Sequence, residues 1–320
     1  MIGAMSTSAP PPALRATASR DPSPTDPIDR SDRRRWLQLI LGVVLFLVAE
    51  VMMGAVSVLA SVLAGGDVAD GPAPWAFLLG GVLAAAVGVG GFLLIVGPVG
   101  RSPGLALRGP GKLAELVVGL VIGTVLISLS VALIALLGGY RVTGISPSPQ
   151  LLAPLAIGIG AGFVEEIFFR GILLRLIDAW MGSWGALVLT SLVFGLIHLT
   201  NDGASLASAL GLVVEAGILL GAAYLLTRRL WLAIGIHIAW NAVQAGVFSS
   251  VVSGTGQQEG LLLADIDGPT WLTGGSMGVE GSLVTVLVGL AAGLVMLVLA
   301  VRRGRMLGPV SRRERDGISG

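Results

Sequence analysis

Eight stretches of roughly 20 mainly apolar residues constrain this chain more than any other feature it carries. They lie near 36–64, 75–97, 113–138, 151–176, 183–200, 204–227, 230–249 and 281–301. At a rise of about 1.5 Å per residue, a helix of that length crosses a hydrocarbon layer of about 30 Å. Lipid offers the backbone no hydrogen-bond partner, so such segments are expected to close their bonds internally as helices. The expected fold is therefore all-α, a polytopic membrane protein with about eight transmembrane helices. Composition agrees. Charged residues make up 12% of the chain, where about 25% is usual for a soluble domain, and the mean hydropathy is +0.89. The 48 glycines suit helices whose backbones approach closely in lipid. With no cysteine, disulfides and cysteine-based metal or nucleophile sites are excluded.

The charges divide the chain. Residues 1–35 are rich in Pro, Ser, Asp and Arg and read as a disordered cytoplasmic tail, without the apolar stretch and cleavage site of a secretory signal. Residues 36–301 form the transmembrane helical domain, with a catalytic core expected at 151–249. Residues 302–320 form a basic cytoplasmic tail. Arg33, Arg34 and Arg35 precede the first span, while Arg101, Arg108 and Lys112 lie between the second and third. Arg228 and Arg229 join the sixth and seventh, and the arginines from Arg302 onward follow the last. The intervening loops carry mostly acidic residues, with Arg141 the exception. By the positive-inside rule this alternation places both termini in the cytoplasm, with the plasma (inner) membrane as the expected location.

Ionisable groups at bilayer depth cost about 3 kcal/mol or more each and mark function or pairing. Here they are Glu50, Glu165, Glu166, Arg170, His198, Glu215 and His237. Glu166 and Arg170 stand four apart on one helix face and can pair. Glu165 points about 100° away, free to face a cavity. From these residues alone, a catalytic carboxylate beside a structural pair and a wholly structural cluster are equally good readings. The chain's two histidines both fall in this region. His198 shares a helix face with Phe194, and His237 with Asn241. Measured from the cytoplasmic helix ends, Glu165, His237, Asn241 and His198 fall at depths of roughly 10–22 Å, compatible with one site.

In order along the chain, Glu165-Glu166-x-x-x-Arg170, then Phe194-x-x-x-His198, then His237-x-x-x-Asn241 resemble the motifs of the CPBP intramembrane proteases. That family, also called Abi, includes the CAAX prenyl endopeptidases and proteins linked to bacteriocin processing or immunity. The resemblance covers about 151–249 and meets no departure at the motif positions. It implies an intramembrane endopeptidase in which Glu165 is the general base on water and His198 helps to hold that water. It also implies that His237 and Asn241 donate to the oxyanion, with Glu166, Arg170 and Phe194 as structural support. A metal version would use Glu165, His198 and His237 around Zn2+, although the His-Glu-x-x-His signature is absent. The cofactor expectation is thus none or Zn2+, with the metal-free mechanism preferred because Asn241 suits an oxyanion donor better than a ligand. Expected partners are membrane lipid and a peptide or lipidated-peptide substrate, with no nucleic acid. The alternatives are a non-catalytic membrane scaffold or immunity protein, and a proton-coupled transporter using Glu50 and Glu215.

Overall fold

A computed structural model describes residues 34–101, 106–148, 150–256 and 259–309. The two expected tails therefore lie largely outside the described residues. Helix α1 spans Arg35–Leu63, α2 Pro74–Leu94 and α3 Lys112–Leu136. After strand β1 (Arg141–Ile145) comes α4 (Leu152–Glu166), which continues through a π-helical turn, Ile167–Leu174, into α5 (Arg175–Ile197). Helix α6 (Leu206–Leu212) runs through another π-helical turn, Val213–Gly217, into α7 (Ile218–Thr227). Helix α8 (Trp231–Gly246), strand β2 (Leu262–Asp265), the short α9 (Thr270–Thr273) and α10 (Leu283–Arg302) complete the order.

The chain is an all-α polytopic integral membrane protein. Six helices are long and apolar enough to cross a membrane, among them a continuous stretch assigned as Leu152–Thr200. That stretch is not straight. Gly182 inside it has φ 80° and ψ 169°, a conformation open to glycine and not to a helix. Phe169 and Phe194 stand 13 residues before and 12 after Gly182, yet their rings meet at 5.0 Å. In a straight helix they would lie about 37 Å apart. The chain therefore doubles back at Gly182, within the break expected between the spans 151–176 and 183–200. Among the described residues the helices of spanning length number six, where about eight were expected; α8, at 16 residues, is shorter than any of them.

The burial pattern is that of a protein solvated by lipid. Trp36 is 79% exposed, and Leu47, Val51 and Leu59 are also exposed, while the buried residues of α1 are Gln38, Gly42, Ala49, Ser57 and Ser61. Large apolar groups face outward and small ones face the neighbouring helix, because lipid tails give no hydrophobic drive for helices to associate and close packing must supply it. The same device places the central helix. A Cβ on Gly119, Gly123 or Gly235 would strike backbone across the α3–α8 contact. A Cβ on Gly158 would lie 2.7 Å from the Ile238 carbonyl oxygen, and one on Gly162 would lie 2.6 Å from the Ile238 side chain. Helix α8 is thus wedged between α3 and α4 at backbone contact.

The long segment after α8 has an architecture that periodicity did not reveal. Strand β2 pairs antiparallel with β1, with Arg141 opposite Asp265 and Ile145 opposite Leu262. Ser146 donates its hydroxyl to the Glu259 carboxylate at 2.7 Å, and Tyr140 donates to the Phe248 carbonyl at 3.0 Å. These ties pin the segment over one end of the bundle. At the other end Arg228, held at φ 57°, pairs with Asp178 and reaches Ser183 and the Arg305 carbonyl.

Candidate active site

Inside the bundle lies a cavity of about 340 Å3, lined by Glu165 from α4, His198 after α5, and His237 and Asn241 from α8. All four residues singled out as catalytic in the sequence therefore share one space. Glu50 from α1, Glu215 from the π-helical turn Val213–Gly217, and Ser253 and Glu280 from the segment between α8 and α10 line it as well. Thr200, Asn201, Val252 and Thr255 place part of its wall at the end of the bundle that carries the β1–β2 ribbon.

The two adjacent glutamates part company as helix geometry requires. Glu166 is fully buried and turns away from the cavity wall. Its Oε1 accepts from Arg170 Nη1 at 2.7 Å and from His237 Nδ1 at 2.9 Å. Arg170, 1% exposed, also donates Nη2 to the Ala216 carbonyl at 3.2 Å and lies 4.5 Å from the centre of the Phe194 ring. One cation thus ties α4 to the π-helical turn before α7, while the carboxylate it balances holds α8. Glu165 takes the other direction, lines the cavity, and has Oε2 buried without a hydrogen-bond partner. A carboxylate oxygen left unpaired in a low-dielectric wall is ready to accept from a molecule in the cavity.

Each histidine has one nitrogen committed. His198 Nδ1 donates to the Phe194 carbonyl at 2.7 Å, and the Phe194 ring packs on its own at 5.0 Å. A carbonyl can only accept, so the proton is on Nδ1 and Nε2 of the neutral ring is left with its lone pair. His237 Nδ1 donates to Glu166, which likewise leaves Nε2. That nitrogen donates to a developing oxyanion only in the imidazolium form, and the buried Glu166 carboxylate stabilises that form. Asn241, one helical turn beyond His237 and 5% exposed, adds a side-chain amide to the same wall.

The possible metal set, Glu165, His198 and His237, lines the cavity but does not close around a point. Among the described residues no three His, Asp or Glu side chains are disposed to hold a metal ion. Two cavity carboxylates, Glu50 and Glu215, stand out in the sequence as ionisable groups at bilayer depth and as candidates for a rival transport function, not as part of the catalytic set. Glu280 is, by sequence, one of the acidic residues in the loop before the last span. Its signal was weak, because a loop acid before a hydrophobic span carries no periodicity that points it inward.

Residues 147–243 match the family model described as Rce1-like, type II CAAX prenyl endopeptidase Rce1-like. No curated protein and no solved structure matches the chain. The matched segment contains Glu165, Glu166, Arg170, Phe194, His198, His237 and Asn241, and ends before Ser253 and Glu280.

Proposed function

We propose that this chain, whose residues 147–243 match the Rce1-like CAAX prenyl endopeptidase family model, hydrolyses a peptide bond inside the membrane with water activated by Glu165. The substrate in this reading is an apolar or lipidated peptide that reaches the cavity between helices. The observation that carries the proposal is the convergence of Glu165 from α4, His198 from the end of α5, and His237 and Asn241 from α8 on one cavity.

Water in the cavity hydrogen-bonds to Glu165 and to His198 Nε2. Glu165 takes its proton as the oxygen attacks the carbonyl carbon. The carbonyl oxygen becomes the oxyanion and is held by Asn241 and by the protonated His237, whose charge is balanced from behind by Glu166. Glu165 then returns the proton to the nitrogen as the carbon–nitrogen bond breaks, leaving a carboxylic acid and an amine, between which the acid's proton then passes to give carboxylate and ammonium. Each group does one task at a place its backbone fixes: α4 carries the base, and α8 carries both oxyanion donors one turn apart. No step requires a metal. The plasma membrane and cytoplasmic termini follow from the charge alternation and belong to the same proposal.

The test is Glu165→Gln, an isosteric change that removes the base. Membrane peptides from cells with the wild-type chain are compared with those from cells carrying the variant. Substrates accumulating uncleaved only in the variant, with both proteins inserted at equal level, support the reading. Full cleavage by the variant removes it.

A further inference from the structure

Four carboxylates line the cavity, Glu50, Glu165, Glu215 and Glu280, and among the described residues no lysine or arginine does. The catalytic proposal uses one of them. Glu215 and Glu280 are the deepest of the other three, at 1% and 2% exposure. Glu215 comes from the π-helical turn Val213–Gly217, a distortion that re-aims side chains and recurs at functional sites. Opposite it, Gly289 on α10 leaves the room that the Glu215 stem fills, and a Cβ there would collide with it. Glu280 sits in a short 3-10 turn, Val279–Gly281, just ahead of α10. Ser253 and Gln244 stand beside it, and it lies within electrostatic reach of both His198 and Glu215. After these contacts, Oε2 of Glu215 and Oε1 of Glu280 remain buried with no hydrogen-bond partner.

Two buried carboxyl groups with unfilled oxygens, facing the same space and repelling each other when ionised, form an incomplete arrangement. An ammonium or guanidinium group completes it, supplying both donors and charge. A metal ion is the poorer fit, since no three donors converge among the described residues. We propose that Glu215 and Glu280 form a subsite beside His198 that receives a cationic side chain of the substrate, a lysine or arginine flanking the scissile bond. This rests on the reading of the cavity as a peptidase site and narrows its substrate class. The cavity's size, about 340 Å3, falls in the range of ligand pockets and exceeds what one peptide group occupies. Glu280 lies outside the matched segment 147–243, so this half of the selectivity comes from the chain's own C-terminal region.

The test uses full-length Glu165→Gln protein in detergent and a set of fluorescent apolar peptides. In the set one lysine steps along an otherwise constant sequence, and each member has a norleucine counterpart. Binding is read by anisotropy, with and without added Zn2+ or Mg2+. At one register the lysine peptide is expected to bind roughly tenfold or more tighter than its counterpart, because a site built around polar groups discriminates against a ligand lacking the partner. Adding Glu215→Gln and Glu280→Gln should remove that preference while leaving norleucine-peptide binding unchanged. Equal binding at every register overturns the proposal, as does a preference that survives both substitutions, and neither peptide binding at all has the same meaning. Loss of the preference on adding either metal ion assigns the carboxylates to a metal and also overturns it. The first comparison needs no substitution at Glu215 or Glu280, so a misfolded variant cannot shelter the idea. Cleavage by the wild-type chain is followed separately. Preference without cleavage keeps the subsite and removes the peptidase reading, and cleavage without preference does the reverse.

Discussion

His237 and Arg170 share one oxygen: Oε1 of Glu166 accepts from His237 Nδ1 at 2.9 Å and from Arg170 Nη1 at 2.7 Å. A single buried carboxylate thereby couples the arginine that braces α4 to the imidazole proposed to hold the oxyanion. Asp or Glu behind histidine fixes the ring's orientation and stabilises its charged form. Here the same carboxylate is itself fixed by the arginine.

Removing one partner of that pair leaves a charge uncompensated in the bundle. Arg170→Met is expected to destabilise the protein by about 3–5 kcal/mol. The double variant Arg170→Met with Glu166→Gln should recover part of that loss, since neither charge is then stranded. Thermal unfolding in detergent checks both. A double variant no more stable than Arg170→Met alone would sink the pairing as the source of the effect.

The base and the oxyanion donors should separate kinetically from stability. Glu165→Gln is expected to lower peptide cleavage by about 10²–10⁴-fold, and Asn241→Ala by about 10²–10³-fold, each with little change in unfolding midpoint. Equal loss of activity and of folded protein would mean that these residues only hold the bundle together.

Glycine packing predicts an effect with no contact to substrate. Gly162→Val forces α4 away from Ile238 on α8, and displacing reacting groups by about 1 Å can cost on the order of 10²-fold in rate. Gly54→Val on α1 meets nothing within 4 Å and should leave activity unchanged. Parallel cleavage assays on the two variants compare them. Similar behaviour of both would refute helix spacing as the cause.

Tyr140, outside the spans, offers a pH prediction. Burial pushes its hydroxyl up from 10.0 to about 12, and it donates to the Phe248 carbonyl. The folded state favours the neutral form, so the stability from this group is full below pH 10. It falls as pH rises from 10 through about 12. Ultraviolet titration should show Tyr140 ionising late, and Tyr140→Phe should flatten the alkaline loss of stability. A normal titration midpoint would contradict this.

A metal-free site predicts that cleavage by purified protein survives chelators and that bound zinc is substoichiometric. Elemental analysis alongside an activity assay decides it. Stoichiometric zinc lost in step with activity would return Glu165, His198 and His237 to the role of ligands.

Much of this protein is legible along the chain. Apolar runs of spanning length report helices, because in lipid each helix must satisfy its own backbone whatever its neighbours do. The Glu166–Arg170 pair and the divergence of Glu165 are also local, fixed by 3.6 residues per turn. The shared helix faces of Phe194 with His198 and of His237 with Asn241 have the same origin. What the chain could not specify is contact between elements. Nothing local announces that Glu166 reaches His237 71 residues away, that Gly182 reverses the chain so Phe169 meets Phe194, or that β1 pairs with β2. Glu50, Glu215 and Glu280 join the cavity only because glycine-mediated packing brings three distant segments to one space. Sequence determined the helices and the local geometry of the motifs, since those depend on bonds within a few residues. Tertiary structure decided which carboxylates face one another, since that depends on where the helices cross.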